Sequence, residues 1–417
     1  MRRAWASVVL GALVAAGCGD DRASVNAGLS PIESCGKLEH AACDVRTPPC
    51  QQRLFDLATC LRGDQPGELP PITVVSEATF AAMLADEAAG RPLPEHLGTW
   101  DWAWTSLALI EAGALTPSTQ VAERAKWIAG QYDASTKQVT LVDHGTRFDA
   151  RSASPVLLHE FVHTLQDREV DLIRVSDSIE WNRDASLAAR AIVEGEARMH
   201  ETRYHAALEG YDLTPAELMS HFDAALARDR EALLMEASPL TASALAFPYE
   251  WGAVYVHEQW RAGGMDAVHA LLQAPPTTTR VLMASVDGAV PPEPTPAPPP
   301  APTPDALDWT LVGRDRLGAW ALFLALAHGD PTRTTVADTL ARAWRTDGFW
   351  LYERAGDGYG QAFVWIIDVA DAPTASAIST SLGGMGKVTA RADGARVFVT
   401  KSSDGAALPW ASGTPAP

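Results

Sequence analysis

No cysteine occurs after residue 60, and no two of the five present are spaced as CxxC. That argues against a zinc site built from thiolates. No internal repeat is visible, which sets aside the stacked-repeat architectures. The leading apolar stretch, Ala4 to Ala16, is too short to hold a bilayer as a stable anchor. Basic residues are scarce: Lys and Arg number 33 against 52 Asp and Glu, a net charge of −19. An acidic chain is a poor match for nucleic acid or an anionic membrane surface, and the charge also serves solubility. With 47% hydrophobic and 20% charged residues the class is globular, and 417 residues suffice for one large or two to three ordinary domains.

The first residues read as an export signal. Arg2 and Arg3 form the positive start, Ala4 to Ala16 the apolar stretch. Leu13-Val14-Ala15-Ala16-Gly17-Cys18 resembles a bacterial lipobox, with Cys18 as the lipidated first residue of the mature chain. On this reading residues 1–18 are a lipoprotein signal peptide; an ordinary signal peptide with a nearby cysteine is the alternative. Several acyl chains on one residue anchor stably. Gly19 stands where Asp would signal inner-membrane retention, so the periplasmic face or outer membrane is the expected address. Arg2-Arg3 alone is too little for a twin-arginine route. Four cysteines remain: Cys35, Cys43, Cys50 and Cys60. An even, clustered set in an exported chain implies two disulfides, with three connectivities open. Nesting Cys35–Cys60 around Cys43–Cys50 would staple a small helical hairpin.

Residues 19–34 are small and polar and read as a tether; 35–62 form the stapled segment, and Gly63 to Pro71 a linker. Ile72 to Val75 and Gln138 to Val142 have strand character. Helices are expected over Glu77 to Ala89, Trp100 to Ala112, Asp184 to Leu208 (with Asp184 as N-cap), Glu217 to Ala237 and Tyr249 to Ala262. Residues 291–305, almost all Pro, Ala and Thr, should be extended and exposed. Beyond them, helical pattern returns at Leu317 to Ala327 and Val336 to Trp344. A strand–helix–strand–strand tail then covers Phe363–Ile367, Ala372–Leu382, 387–391 and 396–401. The expected fold is α+β and mainly helical: a core over 72–290, a Pro-rich loop or linker over 291–305, and a helical and α+β part over 306–402.

One motif carries chemistry. His159-Glu160-Phe161-Val162-His163 is HExxH. A helical turn puts His159 and His163 on one face, where two imidazoles can hold one Zn²⁺ with Glu160 beside it as general base. Ser154 suits an N-cap and Pro155 a first helical position, and the apolar neighbours Val156, Leu157, Phe161, Val162 and Leu165 bury the helix. Catalytic zinc needs a third protein ligand. In Ala191-Ile192-Val193-Glu194-Gly195-Glu196-Ala197, Glu194 is the candidate and Glu196 the runner-up on another side of the helix; Gly195 would allow close helix approach. Otherwise Glu194 is a helix carboxylate paired with Arg190 or Arg198. Asp167, one turn after His163, could accept from a ligand imidazole or a neighbouring backbone N–H, or be a solvated carboxylate.

HExxH followed by a Glu-bearing helix resembles the gluzincin group of zinc metallopeptidases. More specifically, His159 to Asp167 (HExxHxLQD) and Glu194-Gly195-Glu196-Ala197 resemble a bacterial zincin-like family with an EG(E/D)A helix. Phe247-Pro248-Tyr249 with Gly252, and Pro275 to Thr279, extend the likeness, which runs from about residue 72 to 370. It implies a zincin-like core with a short N-terminal sheet, an active-site helix and a glutamate helix. It implies Zn²⁺ on His159, His163 and Glu194, and a Tyr or His donor to the oxyanion. Tyr249, expected to open a helix, is the candidate there, with Tyr255 and His257 as alternates; the remaining histidines are read as structural. The expected function is a lipid-anchored, exported zinc metallopeptidase acting on a peptide or protein, with no nucleic-acid partner. The alternatives are a zinc hydrolase of another envelope amide or ester, and a non-catalytic zincin-like surface binding module.

Overall fold

The computed structural model describes residues 9–13, 35, 41–90, 92–145, 148–177, 181–286, 297–302, 309–327, 330–354 and 360–403. Cys18 and the tether lie outside them, as does most of the Pro-rich stretch. The chain is α+β and mainly helical. In order come β1 (Val9–Leu13), α1 (Pro48–Arg62), β2 (Ile72–Ser76), α2 (Glu77–Ala89), α3 (Leu97–Ser106), α4 (Pro117–Trp127), β3 (Ile128–Asp133) and β4 (Gln138–Asp143). A helical stretch follows: α5 (Ala150–Val170), α6 (Leu172–Asp177), α7 (Arg183–Leu208), α8 (Pro215–Met235), α9 (Pro239–Gln273) and α10 (Thr279–Ser285). The last part holds β5 (Trp309–Asp315), α11 (Gly318–Ala327), α12 (Thr334–Arg342), β6 (Trp344–Arg354), β7 (Gly360–Val369), α13 (Ala372–Gly384), β8 (Thr389–Asp393) and β9 (Arg396–Ser402).

The first sheet has the order β1-β3-β4-β2, with β2 parallel to β4 and the other pairs antiparallel. In the full-length chain the short apolar run expected as part of the leader pairs along the edge of β3, and cleavage before Cys18 would remove it. Helix α1 shows how local chemistry sets an element. Pro48 and Pro49 open it, where their missing N–H groups cost nothing. Gly63 ends it at φ 74°, and the amides of Gly63 and Asp64 return to the Cys60 and Thr59 carbonyls. Two bridges fasten the arm, Cys35–Cys60 and Cys43–Cys50, with Cα separations of 5.9 and 5.7 Å. The nested pairing is the one present, although α1 is the arm's only helix among the described residues. Its buried face (Leu54, Phe55, Ala58, Leu61) lies against α5, with Phe55 edge-on to Phe161 at 5.3 Å.

Several boundaries differ from expectation, each for a local reason. Helix α5 starts at Ala150, not after Ser154: Asp149 and Ser152 form a reciprocal capping box, and Ser154 is a buried helical residue whose hydroxyl bonds the Ala150 carbonyl at 2.5 Å. Pro155 therefore sits inside the helix, near enough to its start to be tolerated. Asn182, not Asp184, caps α7 through the Ala185 amide at 3.1 Å. Asp184 turns inward and accepts from the Thr279 amide at 3.0 Å and hydroxyl at 2.5 Å. Tyr249 opens no helix; it lies in the middle of α9, which starts at Pro239, passes through Pro248 and kinks at Gly264 (φ 67°, ψ −160°). Helix α3 stops at Ser106, short of Ala112, and Ala108 takes φ 58°.

The C-terminal sheet is larger than the tail pattern implied: five antiparallel strands in the order β5-β6-β7-β9-β8. Strands β5 and β6 were not anticipated. Phe349 and Leu351 face the main core while Trp350 and Tyr352 bury on the opposite face, so β6 shows no polar alternation. The Pro-rich stretch is not wholly exposed: Pro299 is buried, and the Tyr352 hydroxyl donates to the Pro302 carbonyl at 2.6 Å. One connected core runs from Cys35 to Val399. No helix among the described residues is long and apolar enough to cross a membrane.

Candidate metal centre

Helix α5 is buried continuously from Ala153 to Asp167, so its HExxH turn is enclosed by protein. It packs against α7, α1 and the strands β3 and β4. Helix α7 crosses α9 with no room to spare. A Cβ on Gly195 would lie 2.2 Å from the Gly252 carbonyl carbon, and one on Gly252 would lie 2.0 Å from the Ala191 oxygen. Glycine on both helices brings the backbones together beside Glu194.

His159, His163 and Glu194 converge and are fully buried, with one ligand atom of each within 4.8 Å of the others. Each imidazole Nε2 lies 3.3 Å from Glu194 Oε2. Tetrahedral zinc ligands at about 2.0–2.1 Å stand about 3.3–3.4 Å apart, so these separations suit a small tetrahedral cation. The other nitrogen of each ring is held: His159 Nδ1 lies 3.1 Å from Glu201 Oε2, and His163 Nδ1 lies 2.8 Å from Gln166 Oε1. An acceptor at Nδ1 leaves the Nε2 lone pair facing the centre. Glu194 Oε1 lies 3.4 Å from two nitrogens of Arg190, which also bonds the Ala244 carbonyl at 3.0 Å, so Oε2 is the oxygen turned inward.

The electrostatics fit a missing positive charge. Burial disfavours the charged form of His159, yet the Glu194 and Glu201 carboxylates outweigh it and push its pKa up to about 10. Burial wins at His163, whose pKa is lowered. Burial would raise Glu194, but both imidazoles hold it well below the usual carboxylate range. Without a cation the cluster favours a proton on His159, and a cation held there would take that proton's place.

The remaining candidates fall at different places. Glu160 is fully buried beside β3: a Cβ on Gly130 would lie 2.8 Å from its Oε1 and 2.6 Å from Val156 Cγ1. The Tyr249 ring stacks on His159 with centroids 5.7 Å apart, and its buried hydroxyl lies near the Glu194 carboxylate without a well-formed hydrogen bond. Burial, then the Glu194 charge, pushes that phenol well above its usual pKa. Asp167 serves no imidazole. It accepts from the Leu172 amide at 2.9 Å, the Tyr132 hydroxyl at 2.6 Å and Lys137 at 2.5 Å, so the backbone alternative is the one present. Glu196 faces away from the cage, towards Arg62 and Gln166. His257 packs on Phe222 and Trp260, and Tyr255 is buried six residues beyond Tyr249 on α9. Glu201 and Gln166 were missed as partners of the imidazoles, whereas Arg190 was anticipated only as a helix pair for Glu194. Glu201 lies two helical turns after Glu194, a spacing that could have exposed it.

A cavity of about 330 Å³ lies at the start of α5, lined mainly by Trp127, Ala129, Val142, Phe148 and Val156, with Lys126 and His144 also in its wall; none of the cage residues lines it. Val156 belongs both to this wall and to the contact beside Glu160. No family model, curated protein or solved structure matches the chain.

Proposed function

We propose that this protein is an exported zinc metallopeptidase of the gluzincin type, held to the cell envelope by lipid on Cys18. The observation that carries the reading is the buried convergence of His159, His163 and Glu194 at tetrahedral spacing. His, His and Glu form a donor set characteristic of catalytic zinc, which keeps its fourth position for water or substrate. Zinc bound there supplies Lewis acidity towards a water and a substrate carbonyl.

The chain's own groups do the rest. Glu160 takes a proton from the attacking water and hands it to the leaving amine. The Tyr249 hydroxyl, near Glu194 but without a well-formed hydrogen bond, donates to the oxygen on which negative charge develops. Arg190 keeps Glu194 turned inward, and Glu201 and Gln166 keep both rings oriented.

The test is metal analysis and casein cleavage, with Glu160→Gln beside the parent. We expect one zinc per chain in both, and activity lower in the variant by about 10²–10⁴-fold. Zinc without proteolysis in the parent would move the reading to another envelope amide or ester, or to a binding module. A parent chain without zinc would end the metal reading.

A further inference from the structure

His163 is oriented by a chain of contacts that leaves its own helix. Gln166, whose oxygen meets His163 Nδ1, donates from its amide nitrogen to the Val193 carbonyl at 2.9 Å and to Glu196 Oε2 at 2.8 Å. The other Glu196 oxygen accepts from Arg62 Nε at 2.7 Å. Arg62 also meets Asp64, and Glu169 at 3.0 Å. His163, Gln166, Glu196 and Arg62 are all fully buried. Arg62 is the last residue of α1, two positions beyond the Cys35–Cys60 bridge.

Donor and acceptor counting gives this chain a direction. A carboxamide has one accepting end and one donating end. Two acceptors, the Val193 carbonyl and Glu196, fix the donating end of Gln166. Its oxygen is therefore left for His163, and the ring must carry its proton on Nδ1. Nε2 then faces the cage as a lone pair. Glu196 can fix Gln166 only while its carboxylate stays in place, and Arg62 holds the far oxygen. An unpaired carboxylate in so dry a setting would turn elsewhere.

We propose that Arg62 is a positioning residue of the metal centre, acting through Glu196 and Gln166 to set the tautomer and ring orientation of His163. This rests on the metal reading above. It gives the disulfide-closed arm a role beyond packing: the arm supplies the last link of the network behind one ligand. Partners behind a metal ligand typically alter affinity by about 10–100-fold when removed.

The experiment uses the full oxidised chain, stripped of metal. Zinc affinity is read by competition with a chromophoric chelator, and the cobalt-loaded protein by its visible absorption. Arg62→Met should weaken zinc by about tenfold or more and shift the cobalt bands; Arg62→Lys, which keeps a cation for Glu196, should recover part of both. Should Arg62→Met fail to fold, Glu196→Gln decides. Its single accepting oxygen cannot serve both Arg62 and Gln166, so the same loss is expected. Folded variants with the parent's zinc affinity and cobalt spectrum would overturn the proposal. A parent that binds no zinc would instead refute the metal reading on which it rests.

Discussion

Replacing Gly195 by Ala tests whether the crossing of α7 and α9 sets the third ligand. The added methyl would sit 2.2 Å from the Gly252 carbonyl carbon. Carbon atoms rest at about 3.5–4.0 Å, so the helices must part by more than about 1 Å. Backbone lies on the far side of the contact, and no flexible side chain can give way. Glu194 precedes the substituted residue and moves with it, whereas His159 and His163 ride on α5. Metal–ligand lengths tolerate only about 0.2 Å, so a shift near 1 Å takes the carboxylate out of range. We expect zinc to bind at least about tenfold more weakly, with an overpacking cost of about 1–3 kcal/mol. Chelator competition reads the first effect and thermal melting the second. Gly252→Ala strains the same crossing from the other helix, its Cβ meeting the Ala191 oxygen at 2.0 Å, and should match it. Gly98→Ala, in open space on α3, should leave zinc unaffected. A folded Gly195→Ala chain with parental zinc affinity would refute the idea that this crossing places Glu194.

Three further outcomes follow from the same geometry. Burial, reinforced by Asp347 and opposed by the Thr279 hydrogen bonds, pushes the Asp184 pKa from 3.8 up to about 7. The folded chain therefore holds this proton more tightly than the unfolded chain. Stability from this group is full below about pH 4, declines between about pH 4 and 7, and is level above, with a ceiling of about 4 kcal/mol; Asp184→Asn keeps an acceptor for Thr279 and should flatten that slope in melts taken across the range. Replacing Cys35 and Cys60 by Ser opens a loop with a sequence separation of 25 residues and should cost on the order of 3 kcal/mol, read as a lower melting temperature; an unchanged melt would contradict a stabilising bridge. Tyr249→Phe keeps the stack on His159 and removes a hydroxyl without a well-formed hydrogen bond, so melting should change little while hydrolysis falls by about 10²–10³-fold; undiminished turnover would remove Tyr249 from the chemistry.

The sequence was most informative where one residue type at one spacing serves one purpose. His159, His163 and Glu194 belong to this group because coordination demands those side chains. The nested cysteines were legible as a pair of bridges, with their connectivity left open. Helix starts were less legible, because several residues compete for each cap. Ser154 and Asp184 have good capping chemistry, but Asp149 and Asn182 were placed to use theirs, and the displaced residues were buried for other purposes. Strand β6 escaped notice because both its faces are covered, which erases the alternation that marks a strand. Arg62 and Glu196 could not have been joined from sequence. They are 134 residues apart; Arg62 reads in isolation as an ordinary helical charge, and Glu196 only as an alternative to Glu194.

The spacing of the two bridges also bears on how the molecule is made. They close over separations of 25 and 7 residues, all upstream of Pro71. Synthesis runs from the N-terminus, so the sulfur chemistry can finish before the histidine-bearing segment leaves the ribosome or translocon. The glutamate helix arrives later still. In an exported chain the newest part would thus meet a pre-oxidised template, and capture of an ion would be the last event of assembly.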